Sequence, residues 1–507
     1  MTKLSFRLGI SLVLIILQVV AIIALTSTVL VRFPIISYAG IVISVLVFFY
    51  IVKNDDASAY KLTWITIVLM LPIVGGIIYL MFSKEHYVRR RITTHAEEHA
   101  IIAKLLDSDD ELEFMNDVKC DGKHSLMKYI RDSSSYHAFD NTESKYFTTG
   151  ELMFEDMLSE ISKAEKFILL EYFIIYKSSM WDRLLEVLER KAKDGLEVRL
   201  IVDDFGSQKL FTNKYIAKLR EKKIDVLRFN PIIPTLFVFM NTRDHRKMLI
   251  IDGHTAYTGG INISDDYINL TDRLGFWKDT GLKLKGDAVW SFTLMFIEMW
   301  DTFSSVAKRI DDHDLYRGNT DEPVKTDGLV LPYGDSPLNR DRLGENIYIE
   351  ILNQARQYVY IFTPYLIISE KLTHALQMAA KRGVDVRIVT PGIPDKKLVF
   401  RLTRSYYTSL LEAGVRIFEY TPGFLHAKSF VSDDEVAVVG TINLDYRSLY
   451  LHFENAVLLY NSDTINEISN DAVEAISVSR EVSLDELNKH KLSGLFDSFL
   501  HLFSPLL

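Results

Sequence analysis

HRKMLIIDGHTAYTGGIN, residues 245–262, decides how this chain is read, because HAKSFVSDDEVAVVGTIN, residues 426–443, repeats it. Both stretches follow one pattern, H-x-K-x4-D-x6-G-x2-N, and they start 181 residues apart. On average composition the five fixed residues coincide at about one start in a few million. Two occurrences in one chain therefore mark a duplicated unit. Residues two apart in a strand face the same side, so His245 and Lys247 address one site together, as do His426 and Lys428. Asp252-Gly253 is a turn signal between two strands. Asp433 is the counterpart of Asp252, and the place of both after the first strand suggests a structural role in the turn. Gly259, Gly260 and Gly440 allow close backbone approach. Asn262 and Asn443 end the second strand and carry amides that donate hydrogen bonds.

The flanks repeat as well. WDRLLEVLERKAKDG (181–195) has apolar residues three and four apart and stops at a glycine, which predicts an amphipathic helix. LEVRLIVDD (196–204) then predicts a buried strand. KLTHALQMAAKRG (371–383) and VDVRIVTP (384–391) follow the same plan. ISKAEKFILLEYFII (161–175) and LNQARQYVYIFTPYLII (352–368) each read as a helix end and a strand. Helices alternating with apolar strands predict α/β layers around a largely parallel or mixed sheet. The Pro- and Gly-rich stretch DEPVKTDGLVLPYGDSP (321–337) holds the boundary between the copies.

Pooled from both copies, the motif offers two imidazoles, two ammonium groups and two amides. Lysines and amides suit a phosphate, whose charge grows in the transition state. Histidines suit nucleophilic and acid–base work near neutral pH. Zinc is the chemical rival for His and Asp. The lysine beside each histidine repels a cation, and no His-Glu-x-x-His or thiolate set is present. Cys120 is the only cysteine, so no intramolecular disulfide forms. The net charge of −9 lacks the basic footprint of a nucleic-acid binder.

Hydrophobicity concentrates at the N-terminus. Leu8–Val31, Pro34–Val52 and Leu62–Phe82 are each roughly long enough to cross a ~30 Å hydrocarbon layer as a helix. Lys3 and Arg7 before the first run, and Lys84 with Arg89–Arg91 after the last, both favour the cytoplasmic side. Two spans satisfy both signals and three do not. The sequence thus predicts a membrane anchor of two to three helices at 1–91, a charged linker with a helical pattern at 92–135, and α/β domains at 136–325 and 326–507. KLSGLFDSFLHLFSPLL (491–507) is apolar at helical spacing and reads either as an interfacial helix or as a docked one.

The doubled motif resembles that of the phospholipase D superfamily, and within it the chain is similar to bacterial cardiolipin synthases. The similarity extends through DHRKMLIIDG, GGINISDDYI, FWKDTGLKLKG, TPYLI, RSYYTSLLEAGVRIFEYTPGFLHAKS, GTINLDYRSLYLHFENAV and LFSPLL, and covers nearly the whole chain. It implies two tandem phospholipase D-like α/β domains sharing one active site, and a two-step mechanism with neither metal nor cofactor. His245 attacks the phosphorus and forms a phosphohistidine, while His426 serves as acid and then base. Lys247, Lys428, Asn262 and Asn443 hold phosphate oxygens, and Asp252 and Asp433 complete the motif. Asp279 in WKDTG and Glu454 in HFENA match the acids that orient catalytic histidines. The single departure, GTIN where the first motif has GGIN, puts little in doubt. The family's reaction joins two phosphatidylglycerol molecules into cardiolipin and glycerol. The implied partners are membrane lipids and not nucleic acid, and the implied location is a multi-pass place in the cell membrane with cytoplasmic catalytic domains. A membrane-bound phospholipase D releasing phosphatidic acid is the alternative. Tyr365, Phe424 and Trp277 are candidates for a lipid channel, with core packing the other reading.

Overall fold

The structure is a computed structural model of the chain. It describes residues 20, 24, 34–54, 57–71, 74–82, 85–106, 122–231, 242–304, 309–318, 324, 328–339, 341–488 and 500–504. Two compact units emerge. One comprises Met1–Arg90, Pro231–Asn241 and Ser493–Leu507, and the other Arg91–Asn230 with Thr242–Leu492.

In the first unit, helices Pro34–Lys53, Ser58–Met70 and Val74–Phe82 gather Ile51, Tyr60, Trp64, Val68 and Tyr79 into a small core. Gly75 lets two of these helices touch: a Cβ there would lie 2.4 Å from the Ile67 carbonyl oxygen. Ile35, Tyr38, Val42, Leu46 and Phe49 are exposed. Among the described residues no helix is long and apolar enough to cross a membrane. The expected span at Leu8–Val31 lies outside the described residues apart from Val20 and Ala24, as does most of the apolar C-terminal stretch.

The second unit holds two mixed sheets. The first contains β1 (Thr142–Phe147), β2 (Phe167–Tyr172), β3 (Glu197–Asp203), β4 (Ile224–Phe229), β5 (Lys247–Ile251), β6 (Thr255–Gly259) and, after the short β7 (Phe276–Lys278), β8 (Gly281–Gly286). Its order is β1-β8-β6-β5-β2-β3-β4. β2, β3 and β4 run parallel, and the rest join antiparallel.

The second half supplies β9 (Leu329–Asp335), β10 (Tyr358–Phe362), β11 (Leu366–Ile367), β12 (Asp385–Pro391), β13 (Arg416–Tyr420), β14 (Gly423–Leu425), β15 (Ser429–Ser432), β16 (Val436–Gly440), β17 (Leu444–Asp445), β18 (Glu454–Tyr460) and β19 (Ser479–Glu481). The order β19-β13-β12-β10-β15-β16-β18-β9 repeats the plan of the first sheet, with β10, β12 and β13 parallel. The fold therefore contains two tandem α/β layers, as the internal repeat predicts.

The amphipathic helices fall where their periodicity puts them. Ser179–Lys193 buries Met180, Trp181, Leu184, Leu188 and Ala192, and it is capped by Ser178. Gly195 beyond it takes φ +101, the left-handed conformation that favours glycine. The helix Val289–Phe303 is different: all fifteen of its residues are buried. Its two buried acids are partnered: Glu298 Oε1 lies 3.1 Å from His99 Nδ1, and Asp301 accepts from the Ile310 N–H at 3.1 Å.

Part of the stretch expected as a helical linker, 92–135, packs into the core. Helices Glu85–Leu106 and Gly122–Ser134 occupy much of it, and Ile102, Leu106, Leu126, Met127 and Ile130 belong to the main core. Apolar residues at helical spacing gave this stretch a buried face, which a solvated linker lacks.

Candidate active site

His245 stands just before β5, in a segment that pairs with the other half. Its N–H donates to the Phe453 carbonyl at 2.8 Å, and Asp244 bridges Phe453 in parallel. That pairing brings Glu454, the first residue of β18, against the imidazole. His245 Nδ1 lies 2.9 Å from both Glu454 carboxylate oxygens. The second half mirrors this. β14 pairs in parallel with β7, and the His426 N–H donates to the Lys278 carbonyl at 2.7 Å. Asp279, the next residue, puts Oδ2 2.7 Å from His426 Nδ1. Each histidine is thus oriented by the acid of the opposite half. A carboxylate at Nδ1 favours the tautomer that carries its proton there and leaves Nε2 unprotonated.

Strand alternation sets the lysines. Lys247 Nζ donates to the His245 carbonyl at 2.6 Å, and Lys428 Nζ to the His426 carbonyl. Lys428 Nζ also lies 2.7 Å from His426 Nδ1. Both contacts of Nδ1 cannot hold at once, because Asp279 needs a donor there and an ammonium needs an acceptor. We assign the proton to Nδ1, since an unprotonated Nδ1 would face a buried carboxylate lone pair to lone pair. Between His245 and Lys247, Arg246 points to the other face of the strand. There its guanidinium donates to the Glu454 carbonyl at 3.2 Å and the Met295 carbonyl at 3.3 Å.

All four motif cations and imidazoles are buried. Burial pushes Lys247 down to about 8 and Lys428 down to about 7, with the nearby acids opposing. Burial, then the positive field of Lys428, pushes His426 down to about 4 against the pull of Asp279. Burial and the charges of Lys247 and Lys428 hold His245 well below the usual imidazole value. Asp279 stays below the ordinary carboxylate range. Its burial acts to raise it, and His426 and Lys428 outweigh that. Both imidazoles are therefore neutral in the free site at pH 7.

The asparagines are not equivalent. Asn262 Oδ1 accepts from the Ile174 N–H at 3.0 Å, and its Nδ2 donates to the Tyr267 hydroxyl at 2.8 Å. Asn443 is buried, and its Oδ1 has no partner. The motif aspartates bind backbone N–H groups. Asp252 accepts from the N–H groups of Glu165, Lys166 and Phe167 at 2.7 to 2.9 Å. Asp433 does the same for Arg356, Gln357 and Tyr358 at 2.8 to 2.9 Å. Both sit at positive φ, 52° and 55°. Their carboxylates pin the entry of the central strand in each sheet, in keeping with a turn role.

Gly260 and Thr441, the one departure between the motifs, face the two acids. A Cβ on Gly260 would lie 2.0 Å from Asp279 Oδ1, so only glycine fits there. Thr441 instead donates its hydroxyl to Glu454 Oε2 at 2.5 Å. The sequence offered Thr441 as a tolerated change, and its hydroxyl is a partner of the acid.

Aromatic rings wall both imidazoles. Phe173 meets His245 edge-on at 4.9 Å, and Tyr267, Trp277 and Phe424 lie 5.4 to 5.7 Å from His426. Trp277 and Phe424 belong to the first-half core. Tyr365 donates to Asp395 at 2.8 Å and lies under Lys396. Sequence reasoning also passed over His452, whose ring centroid is 5.5 Å from that of His245. Its own burial holds it down at about 3. His245, His452 and Glu454 bring three possible ligand atoms within 4.8 Å, which fits a metal by spacing. The field of Lys247 and Lys428, which already disfavours positive charge on His245, disfavours a dication there as well.

Chemically, the site offers two neutral imidazoles held by carboxylates, two lysines and an asparagine whose Oδ1 is unpartnered, all buried. Comparisons with known proteins show its family. Residues 157–280 and 348–475 match the family described as cardiolipin synthase, PLD-like domain, and residues 42–84 match a phospholipase D-nuclease N-terminal family. An uncharacterised protein of Streptococcus mutans serotype c is 42% identical over 462 residues, which cover 90% of this chain and 99% of that one. The cardiolipin synthase of Alkalihalophilus pseudofirmus is 31% identical, with 92% of each chain covered. Cardiolipin synthase 2 of Bacillus anthracis is 32% identical over 88% of this chain and 86% of its own. Among solved structures, the phosphatidylserine synthase of Haemophilus influenzae Rd KW20 shares the fold, with a TM-score of 0.56 at 13% identity over 75% of this chain and 100% of that one. With its doubled motif, its crossed histidine–acid pairs and relatives that match over 88 to 92% of it, the chain belongs to the cardiolipin synthase family of phospholipase D-like phosphatidyltransferases.

Proposed function

We propose that this protein moves a phosphatidyl group from one phosphatidylglycerol to the glycerol hydroxyl of another, giving cardiolipin and glycerol. The observation that carries the reading is the pair of buried imidazoles, each held at Nδ1 by an acid from the opposite half. One phosphodiester between them meets a nucleophile on one side and an acid on the other.

In the first step the unprotonated Nε2 of His245 attacks phosphorus. The N–P bond forms, the P–O bond to glycerol breaks, and His426 gives that oxygen a proton. In the second step His426 takes the proton of the incoming hydroxyl. The new P–O bond forms and the N–P bond breaks. Glu454 stabilises the charge that His245 acquires. Lys247 and Lys428 hold the non-bridging oxygens, with Nδ2 of Asn443 as the amide donor, while Nδ2 of Asn262 is turned to Tyr267. His426 is neutral in the free site, so it must gain its proton as the substrate arrives. Burial is the larger cause of its lowered pKa; a docked phosphate offsets the next, the charge of Lys428, and so raises it. One phosphodiester replaces another, so no nucleotide is consumed. Burial of the site opposes water as the acceptor.

Phospholipid substrates fit a membrane location. The exposed apolar side chains of helix Pro34–Lys53, and the uncharged runs before and after it, support attachment through N-terminal membrane helices with the catalytic unit on the cytoplasmic side. Purified full-length protein given phosphatidylglycerol in detergent micelles, with EDTA, tests the reading. Cardiolipin with equimolar glycerol, lost in His245→Ala, is the expected result. Phosphatidic acid without cardiolipin would make the protein a hydrolase instead.

A further inference from the structure

One backbone carbonyl grips the strand that carries the acid–base histidine. The Lys278 carbonyl accepts from the N–H groups of His426 at 2.7 Å and Ala427 at 3.2 Å. The next residue is Asp279, the acid at His426 Nδ1. Lys278 therefore sets the backbone of His426 and the carboxylate at its ring together. Its own side chain is buried and has an acceptor for each N–H. Nζ donates to the Thr148 carbonyl at 2.6 Å and to the two oxygens of Asp471 at 2.7 and 2.8 Å. Asp471 is also buried and comes from the helix Thr464–Ser477 of the second half. Its Oδ2 accepts from the Tyr146 hydroxyl on β1 at 2.8 Å. The same helix is tied to β1 at its start, where the Thr464 hydroxyl donates to the Ser144 carbonyl at 3.1 Å.

The His245 side is built otherwise. There the matching carbonyl is that of Phe453, and Glu454 follows it as Asp279 follows Lys278. The Phe453 ring packs against Phe229 and Phe303 with centroids 5.7 Å apart. Apolar packing thus holds the acid of one histidine, and a buried ion pair holds the acid of the other. Stability alone does not call for that pair, because apolar side chains of similar volume often serve a fold as well or better. What the pair adds is direction. Four hydrogen bonds of defined geometry fix where Lys278 lies, whereas apolar contact lets a segment slide.

We infer that Lys278 and Asp471 are positioning residues for the acid–base step, holding Asp279 and the backbone of His426 in register across the two halves. The inference rests on the phosphatidyl-transfer reading and adds what controls one of its steps. The pair acts through Asp279 on the proton that His426 gives and takes, and the attack by His245 does not depend on it. A misplacement of about 1 Å in such a group lowers a rate by about 10²-fold.

Removing the whole pair tests this, because no unpaired charge is left buried. Full-length wild type and Lys278→Met/Asp471→Leu are compared in Tm, in kcat with phosphatidylglycerol, and in the first-step burst with phosphatidyl-p-nitrophenol, whose leaving group needs no proton. The expected result is a Tm close to wild type, a kcat lower by about 10²-fold and a burst close to wild type. Asp471→Asn keeps the shape and weakens the bond, so it should show the same selectivity with a smaller fall. If the double variant does not fold, Asp471→Asn decides with the same two donors. An unchanged kcat with phosphatidylglycerol overturns the inference. So does an equal fall with both donors, which is what a pair serving only the fold would give. His245→Ala and His426→Ala are the references. A burst that survives in His245→Ala and not in His426→Ala would reverse the histidine roles and overturn the inference with them. Wild type that makes phosphatidic acid and no cardiolipin would instead sink the transfer reading, while the comparison of the two donors still decides on the pair.

Discussion

Glu454 belongs to the second half of the chain and serves the histidine of the first: both of its carboxylate oxygens lie 2.9 Å from His245 Nδ1, across 209 residues. Asp279 returns the arrangement to His426 at 2.7 Å, across 147 residues. This crossing assigns separable tasks to the two acids. Glu454→Gln should slow formation of the phosphohistidine, and Asp279→Asn should slow protonation of the leaving alcohol. Each should lower kcat by about 10²- to 10⁴-fold, as for other histidine-orienting acids. A phosphodiester with a p-nitrophenol leaving group needs no proton. With it, Asp279→Asn and His426→Ala should recover most of the first-step burst, while Glu454→Gln and His245→Ala should not. Recovery in the His245 variant would reverse the two roles.

Thr441 should matter through its hydroxyl. Thr441→Val removes the donor to Glu454 Oε2 while keeping the shape, and is expected to cut kcat by about tenfold, the equivalent of about 1.4 kcal/mol. Thr441→Ser should stay close to wild type. Gly260→Ala is the mirror test. Its methyl group meets Asp279 at 2.0 Å, so the acid must move, and the loss should fall on the proton-transfer step of His426. Burst kinetics with the two donors would separate these cases.

Asp252→Ala should act on stability. Three N–H groups at the start of β2 lose a charged acceptor, and alanine is also strained at φ 52°. A loss of about 3 kcal/mol is expected, with a lower Tm. Asp433 is less buried than Asp252, so its alanine variant should lose less. Denaturation of both variants checks the order. Loss of kcat in a folded, thermally normal Asp252→Ala protein would return this residue to the catalytic set.

Substrate binding should take up protons. Lys428 and Lys247 are pushed down to about 7 and about 8, so both are partly deprotonated at pH 7.5 to 8 in the free site. An anionic phosphate favours their charged forms and raises both values. Protons then enter with the ligand in that range. Uptake by the lysines fades toward about pH 6, where both are already charged. Calorimetry of a short-chain phosphatidylglycerol binding to His245→Asn, in two buffers of different ionisation heat, should show net uptake at pH 7.5. Binding heats independent of buffer would contradict it.

Much of this was legible in the sequence, for definable reasons. Period-two alternation fixed His245 with Lys247 and His426 with Lys428, and the repeated Lys-x-Gly ends marked the helices. The crossing of the acids was not legible, because Phe453 and Lys278 pair with histidine segments far away in the chain. Periodicity speaks only about local structure. His452 was passed over beside the acid in HFENA, since a single buried histidine carries no pattern of its own. The segment 92–135 did carry a signal in Leu126, Met127 and Ile130, which its many charges obscured.

The all-buried helix Val289–Phe303 and the crossed pairs also impose an order in time. A ribosome releases His245, Lys247 and that helix long before it releases Glu454. Until β18 has been made and docked, the nucleophile has no carboxylate to set its tautomer, and the apolar helix has no second sheet behind it. The nascent first half therefore carries a disarmed histidine and a sticky helix together. Reactivity and solubility arrive in the same late event, the closing of the two halves.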